Sequence, residues 1–318
     1  MKDILFFLLF TSTLLFSNAQ FQEHKIDVSN YEATLTYQTV KSSKKAILYI
    51  HGFNDYFFNT QFAQKFLDQG YAFYALDLHG YGRNLKSKER VFSFKDIQEF
   101  DDEITQAITF IKNQGHTNIT LYGYSQGGLI ATLYANKYRN IDQLILDSAF
   151  FDFAFSPFLE SYVLPLVAKV GKYFPNLFLP SSAPNVFGQT LHKDFNGEWD
   201  FDMNLKYTTT NAPIYFEWIH AIYSAQQQLH AGLDLQIPVL SLYSDKSYNE
   251  QSDVKYHHIS DLVLDVNDIE TYSKKLNQDA SLTTLTPIKD GMHGVTFSKP
   301  KVRQEAYRVI FNWLQTQN

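Results

Sequence analysis

The sequence predicts a mostly parallel, doubly wound α/β sheet with helices on both faces and one long, mainly helical insertion. Three observations carry this. Uninterrupted apolar runs such as Ala46-Ile47-Leu48-Tyr49-Ile50 recur, and a run without a polar face belongs to a strand covered on both sides. Segments of helical period alternate with these runs, the pattern of parallel strands joined by crossover helices. The alternation breaks from about Phe151 to Leu235 and then resumes. The core is therefore expected in two parts, 20–150 and 236–318, around an insertion of 151–235. A chain of 318 residues, 45% hydrophobic and 16% aromatic, can bury one large core.

The first residues read differently from the rest. Met1-Lys2-Asp3 precedes the apolar stretch Ile4 to Phe10, a Thr-Ser-Thr step and Leu14-Leu15-Phe16. Ser17-Asn18-Ala19 then supplies small residues at the −3 and −1 positions of a cleavage site. Residues 1–19 are expected to be a signal peptide, leaving an exported chain, periplasmic or secreted, that starts near Gln20. A retained N-terminal anchor is the alternative, although the run is short against the roughly 20 apolar residues of a span.

In order, Glu23–Val28 and Tyr31–Val40 read as strands, the second alternating through Tyr31, Ala33, Leu35 and Tyr37. Ala46–Ile50 follows and ends in His51-Gly52-Phe53-Asn54-Asp55. Gln61–Gln69 is helical, with Phe62, Phe66 and Leu67 on one face and Gly70 as its stop. Tyr71–Leu76 is the next strand, running into the loop Asp77-Leu78-His79-Gly80-Tyr81-Gly82-Arg83-Asn84. Ser93–Asn113 carries Ile97, Phe100, Ile104, Ile108 and Ile111 at helical spacing, and its run Asp101-Asp102-Glu103 reads as a charged helix side that needs no function. Ile119–Tyr122 is a strand, Leu129–Tyr138 a helix, and Ile141–Leu146 a strand. In the insertion, Leu159–Val170 and Pro213–Leu229 are helical and 188–207 irregular. Pro238–Tyr243 and Ser281–Pro287 are the last strands. Pro300–Leu314 closes the chain as a helix with Val302, Ala306, Val309, Ile310 and Trp313 inward.

The chemistry concentrates at Gly123-Tyr124-Ser125-Gln126-Gly127, a Gly-x-Ser-x-Gly between a strand and a helix. That arrangement is a nucleophile elbow, a turn so tight that flanking Cβ atoms would collide and the serine hydroxyl is pushed clear of the sheet. A serine needs a base to take its proton, and the base needs an orienting acid. Of ten histidines, His293 in Gly291-Met292-His293-Gly294 lies between the last strand and the last helix, giving the chain order serine, acid, histidine. The acid is open at this level: Asp245 directly follows the strand Pro238–Tyr243, Asp261 follows a polar stretch, 246–260, that looks inserted in the same loop, and Asp265 is a third option. An oxyanion needs donors, and the backbone N–H groups of Gln126 and Phe53 are placed to supply them. His51 is read as structural.

These motifs resemble the α/β-hydrolase superfamily, and within it the serine aminopeptidase / monoacylglycerol lipase-like (lysophospholipase-like) branch. That branch carries H-G-x, D-L-x-G-x-G, G-x-S-x-G and a late G-x-H in this order, from about Lys45 to the C-terminus. The resemblance implies Ser125 as nucleophile, His293 as base and Phe53 and Gln126 as oxyanion donors. In the branch the acid is followed by a few mostly apolar residues, often a second Asp, and a helix. Asp261-Leu262-Val263-Leu264-Asp265 and the helix Asp268–Leu276 fit this, so the resemblance implies Asp261 over Asp245. Asn84 stands where members often carry Ser.

Other functions find less support. Lys+Arg total 27 against 33 Asp+Glu, a net −6, with no basic stripe for nucleic acid. Without cysteine there is no disulfide and no thiol nucleophile. Asp253 with His257-His258, and Glu198 with Asp200 and Asp202, lack the spacing of metal sites and read as solvated surface. No metal or organic cofactor is implied. Phe151, Phe153, Phe155, Phe158, Tyr162, Leu166, Phe174, Leu177 and Phe178, with Trp218, Ile219 and Ile222, are expected to pack the insertion onto the sheet and wall an acyl pocket. The expected activity is hydrolysis of carboxylic esters with lipid-like or small acyl groups. A peptidase would need an acid for the substrate amine, for which Glu160, Glu198 and Glu217 are candidates; a non-catalytic binding protein is the third reading. Epoxide hydrolase chemistry is set aside because it uses an aspartate at the elbow.

Overall fold

The computed structural model of the chain describes residues 21–28, 31–85 and 90–317; the expected signal peptide lies outside the described residues. The order is β1 (Gln22–Val28), β2 (Tyr31–Gln38), β3 (Lys45–Ile50), α1 (Thr60–Asp68), β4 (Ala72–Asp77), α2 (Asp101–Asn113), β5 (Asn118–Tyr124), α3 (Gln126–Tyr138) and β6 (Gln143–Asp147). It continues with α4 (Leu164–Tyr173), β7 (Phe178–Leu179), α5 (Val186–Leu191), β8 (Ile214–Tyr215), α6 (Phe216–His230), β9 (Val239–Ser244), α7 (Val266–Ser273), β10 (Thr283–Ile288) and α8 (Pro300–Thr316). Eight strands form one sheet in the order β1-β2-β4-β3-β5-β6-β9-β10. β1 and β2 run antiparallel at one edge; from β4 to β10 all pairs are parallel.

The continuous apolar strands are explained by their two faces. In β3, Ala46, Leu48 and Ile50 join the core under α2 and α3, while Ile47 and Tyr49 join the core under α1 and α8. Phe66 of α1 and Ile310 of α8 are fully buried on that second side, where covering a large apolar side chain contributes about 1.5–3 kcal/mol. Parallel register brings the carboxyl ends of the central strands level: Ile50 pairs with Gly123, Tyr124 with Asp147, and Ser244 with Ile288.

One expected helix is corrected. Ser93–Asn113 is not one helix: α2 begins at Asp101 after a 3-10 turn at Ile97–Phe100, because Asp96 caps that turn by accepting from the Gln98 N–H and Phe92 and Phe94 are drawn into the core. Within the charged run Asp101-Asp102-Glu103, Asp102 faces water while its two neighbours are buried. Glu103 is fully buried and accepts from the His79 ring and backbone, and Asp101 accepts from Lys137 Nζ at 2.7 Å.

Between β6 and β9 the chain leaves the sheet. α4 continues without a break from a π-helical turn at Leu159–Val163 and carries Pro165 as its second residue, so a proline that lacks an N–H sits next to the altered turn. It packs on α6, and Gly171 permits the contact: a Cβ there would stand 2.0 Å from the Phe216 carbonyl oxygen. α6 sends Trp218, Ile219, Ile222 and Leu229 into the main core. The segment expected to be irregular from residue 188 contains the end of α5.

Candidate active site

Ser125 stands between β5 and α3 with φ 53° and ψ −121°, outside the comfortable range for a side chain with a Cβ. Its neighbours show why the turn demands glycine. A Cβ on Gly127 would lie 2.3 Å from the His51 carbonyl oxygen, and one on Gly123 would lie 2.6 Å from that of Gly127. The turn is held by the Ser125 N–H donating to the Asp147 carbonyl at 3.0 Å and by the Ser125 carbonyl accepting from Gly128 and Phe150.

The structure brings Ser125, His293 and Asp261 into one line. His293 Nδ1 lies 2.9 Å from Asp261 Oδ2 and its Nε2 lies 2.9 Å from Ser125 Oγ. With Nδ1–H donating to a carboxylate, Nε2 carries the free lone pair and accepts from the serine hydroxyl. Asp261 is fully buried, and its other oxygen accepts from the N–H groups of Val263 and Leu264, both at 2.8 Å. The His293 ring packs against Tyr124 and Phe187, with centroids 5.3 and 5.2 Å away.

Asp245, although next to the end of β9, points elsewhere: it accepts from the Asp290 N–H at 2.9 Å and is one-third exposed. Asp261 reaches the site because the intervening loop closes on itself. The Asp261 N–H donates to the Lys246 carbonyl at 3.0 Å, its carbonyl accepts from Tyr248 at 2.9 Å, and Ser247 bridges to it in parallel. Asp265 caps α7 by accepting from the Asn267 N–H.

Gln126 and Phe53 present the two backbone N–H groups. Gln126 opens α3, so its N–H has no intrahelical partner, and among the described residues neither it nor the Phe53 N–H is engaged. The Gln126 side chain is locked, donating to Tyr81 Oη at 2.9 Å and accepting from Trp218 Nε1 at 2.7 Å. His51 donates from Nδ1 to the Gly52 carbonyl and accepts at Nε2 from the Leu78 N–H, so it braces the loop that carries Phe53. Asn84 is buried and tied to Thr34 and to the carbonyls of Asp77 and Leu78.

Sequence reasoning missed two sets of supporting residues. Asp147, the last residue of β6, and Ser148 after it hold the turn after His293: Ser148 Oγ accepts from Gly294, and Asp147 accepts from Val295 N–H at 2.7 Å and from Thr296 Oγ1 and Tyr122 Oη. Burial pushes the Asp147 carboxyl up, against those bonds. An acid directly after the apolar run Leu144-Ile145-Leu146 was the available signal. The second set ties the insertion to the Phe53 loop. Asn54 donates to the Tyr207 carbonyl at 2.8 Å and accepts from its N–H at 2.7 Å, and Lys206 Nζ meets Asp55 Oδ1 at 2.5 Å.

A cavity of about 550 Å³ opens over Ser125 and His293, walled by Phe53, Phe187 and, from the loop after β9, Asn249, Glu250 and Gln251. Leu179 and Ile214 separate it from a second hollow of about 210 Å³ lined by Phe153, Phe155, Val163 and Trp218 among others. Part of the expected pocket wall does not belong there. Tyr162 and Leu166 are 66% and 65% exposed, and Phe158, Phe174, Leu177 and Phe178 also face water. Leu164, Ala168 and Gly171 turn their side of α4 inward, so Phe158, Tyr162 and Leu166, four residues apart, share the opposite face.

The candidate amine acceptors are engaged elsewhere. Glu217 is buried against Arg90 and Ser93, Glu198 pairs with Arg303 and Lys299, and Glu160 accepts from the Phe155 N–H. His257 is bonded to the Ser252 carbonyl, Asp200 to Lys193 and Asp202 to Asn204. Among the described residues no group of three or more His, Asp or Glu stands together as a metal site would, and no helix is long and apolar enough to cross a membrane.

Comparison with known proteins gives three results. The sequence profile described as serine aminopeptidase, S33 matches residues 41–247, more than half of the chain. The fold matches that of a soluble variant of monoglyceride lipase from Saccharomyces cerevisiae, with a TM-score of 0.69 at 13% identity over 95% of this chain and 97% of that one. It also matches the monoacylglycerol lipase of Paleococcus ferrophilus (0.61, 16% identity, 89% and 99% covered) and Est1E of Butyrivibrio proteoclasticus, solved with ferulic acid (0.58, 16%, 92% and 98%). Epoxide hydrolase 1 of Caenorhabditis elegans is 28% identical over 109 residues, 34% of this chain, and the match spans about a quarter (26%) of that protein.

Proposed function

The chain is an α/β-hydrolase of the serine aminopeptidase S33 family, and from that premise we propose that it cleaves carboxylic esters of lipid-like or small acyl groups through an acyl-enzyme on Ser125. The observation that carries the reading is the unbroken relay from Asp261 through His293 to Ser125, with both links at 2.9 Å. Ser125 Oγ attacks the ester carbonyl as its proton passes to His293 Nε2. The carbonyl oxygen, now an anion, accepts from the Phe53 and Gln126 N–H groups, which have no other partner among the described residues. When the C–O bond breaks, the alcohol leaves with the proton from His293. Water, deprotonated by the same imidazole, then releases the acid. Asp261 keeps Nδ1 protonated and steadies the imidazolium. The apolar hollow beside the cavity suits an alkyl chain, and the insertion that walls it acts as a lid or cap.

The test is hydrolysis of p-nitrophenyl acetate and decanoate by the mature chain and by Ser125→Ala. The variant should lose turnover by 10⁴-fold or more, to within about the residual activity a binding site alone retains, with its thermal transition nearly unchanged. No turnover of either ester by the wild-type chain would sink the reading, and cleavage of amino-acid anilides instead would move it to a peptidase.

A further inference from the structure

We propose that Glu250 makes this site selective for esters whose leaving alcohol carries a cationic group, an inference that rests on the serine-esterase reading above. The argument begins with the charges in the cavity. Of the side chains that line it, only Lys206 and Glu250 belong to the acidic and basic residue types, His293 being the imidazole bonded to Ser125. Lys206 is spent on Asp55, in a pair whose side chains are only 4% and 1% exposed. Glu250 is not spent. One carboxyl oxygen accepts from the Phe187 N–H at 3.2 Å, and among the described residues the other has no partner. The cavity therefore keeps one uncompensated negative charge.

Its position decides which half of the ester meets it. The leaving oxygen must lie within reach of His293 Nε2 to take its proton, so the rest of the alcohol extends along the imidazole side. Phe187 stands on that side, its ring against His293 and its N–H on Glu250. The acyl chain has the apolar hollow across Leu179 and Ile214 for itself. Burial lifts the Glu250 carboxyl above its usual range, with the Phe187 N–H and His257 opposing. A half-desolvated carboxylate of this kind gains from an arriving cation, since the attraction acts in a medium less screening than water.

The experiment compares choline decanoate with 3,3-dimethylbutyl decanoate, which has the same shape and acyl chain but a neutral carbon in place of nitrogen. The ratio of their kcat/KM values is measured for the wild-type chain, Glu250→Gln and Glu250→Lys. A ratio on the order of tenfold in favour of choline is expected for the wild type, falling to about one in Glu250→Gln and below one in Glu250→Lys. Because each ratio is internal to one protein, a general loss of activity in a variant does not affect it. A wild-type ratio near one, or a ratio unchanged by either substitution, overturns the proposal and leaves the esterase reading standing. Failure of both esters would instead remove that reading.

Discussion

Replacing Lys206 by Met tests how firmly the insertion is joined to the loop that carries Phe53. The ammonium is 2.5 Å from Asp55 Oδ1, lies over the rings of Phe58 and Phe201 at 5.4 Å each, and is almost wholly covered. Asp55 Oδ2 is buried and has no partner among the described residues, so Lys206 is the main compensation for this carboxylate. Removing the cation leaves a buried charge alone, a loss of about 3–5 kcal/mol, set against a whole-domain stability of about 5–15 kcal/mol. Urea unfolding should show that loss as a lower midpoint at unchanged slope, with Tm down by roughly 10 °C. Asp55→Asn alone should cost a similar amount. The double variant, with neither charge, should recover much of the loss, giving a coupling on the order of 2 kcal/mol or more. Turnover should fall with stability, because Asn54 and Asp55 directly follow Phe53, the proposed oxyanion donor. Single variants that each lose under about 1 kcal/mol, or losses that simply add in the double variant, would refute the reasoning and make the pair an incidental contact.

Two further outcomes follow from the site and its surroundings. Asp261→Asn should lower kcat on the order of 10⁴-fold, as loss of an orienting acid does, whereas Asp245→Asn, which loses only a bond to the Asp290 N–H, should change it less than about tenfold; the reverse order would reassign the acid. For His79, burial opposes the charged ring, but bonds to Glu103 and Glu99 outweigh it and raise the group to about 9 from the ordinary 6.5. A raised pKa adds stability that is complete below pH 6.5 and lost as pH rises toward 9. Unfolding measured across that window should lose on the order of 3 kcal/mol, and His79→Gln should flatten the slope. Equal slopes in both proteins would mean that the folded ring is neutral.

The parts of this molecule legible in its sequence are those where one backbone requirement admits few residues. The elbow needs glycine at 123 and 127 because carbonyl oxygens occupy the space of a Cβ, so the pattern announces itself. Strands covered on both faces must be apolar throughout, and β3 to β6 read accordingly. Other features depend on contacts that spacing does not encode. Ile97 and Phe100 keep helical period with α2, yet a capping aspartate at 96 and the burial of Phe92 and Phe94 delay the helix to Asp101. Glu103 looks like one more surface charge until His79 is set beside it. In α4, both faces are apolar, so periodicity could not say which one would meet α6. The placement of Asp261, rather than Asp245, beside His293 is of the same kind, since it depends on hydrogen bonds at the base of a loop.

That base has a bearing on how such a protein can change over generations. Because Lys246, Ser247 and Tyr248 are pinned to Asp261, the residues between them form an excursion whose two ends stay together whatever its contents. Lengthening such a loop carries only a small entropic cost, and the Asp261 carboxylate does not move with it. Asn249, Glu250 and Gln251 can therefore be exchanged, inserted beside or deleted as a cassette. If the proposed roles hold, residues that line the cavity and the carboxylate beside His293 sit on separable stretches of chain, so the one can drift while the other is kept.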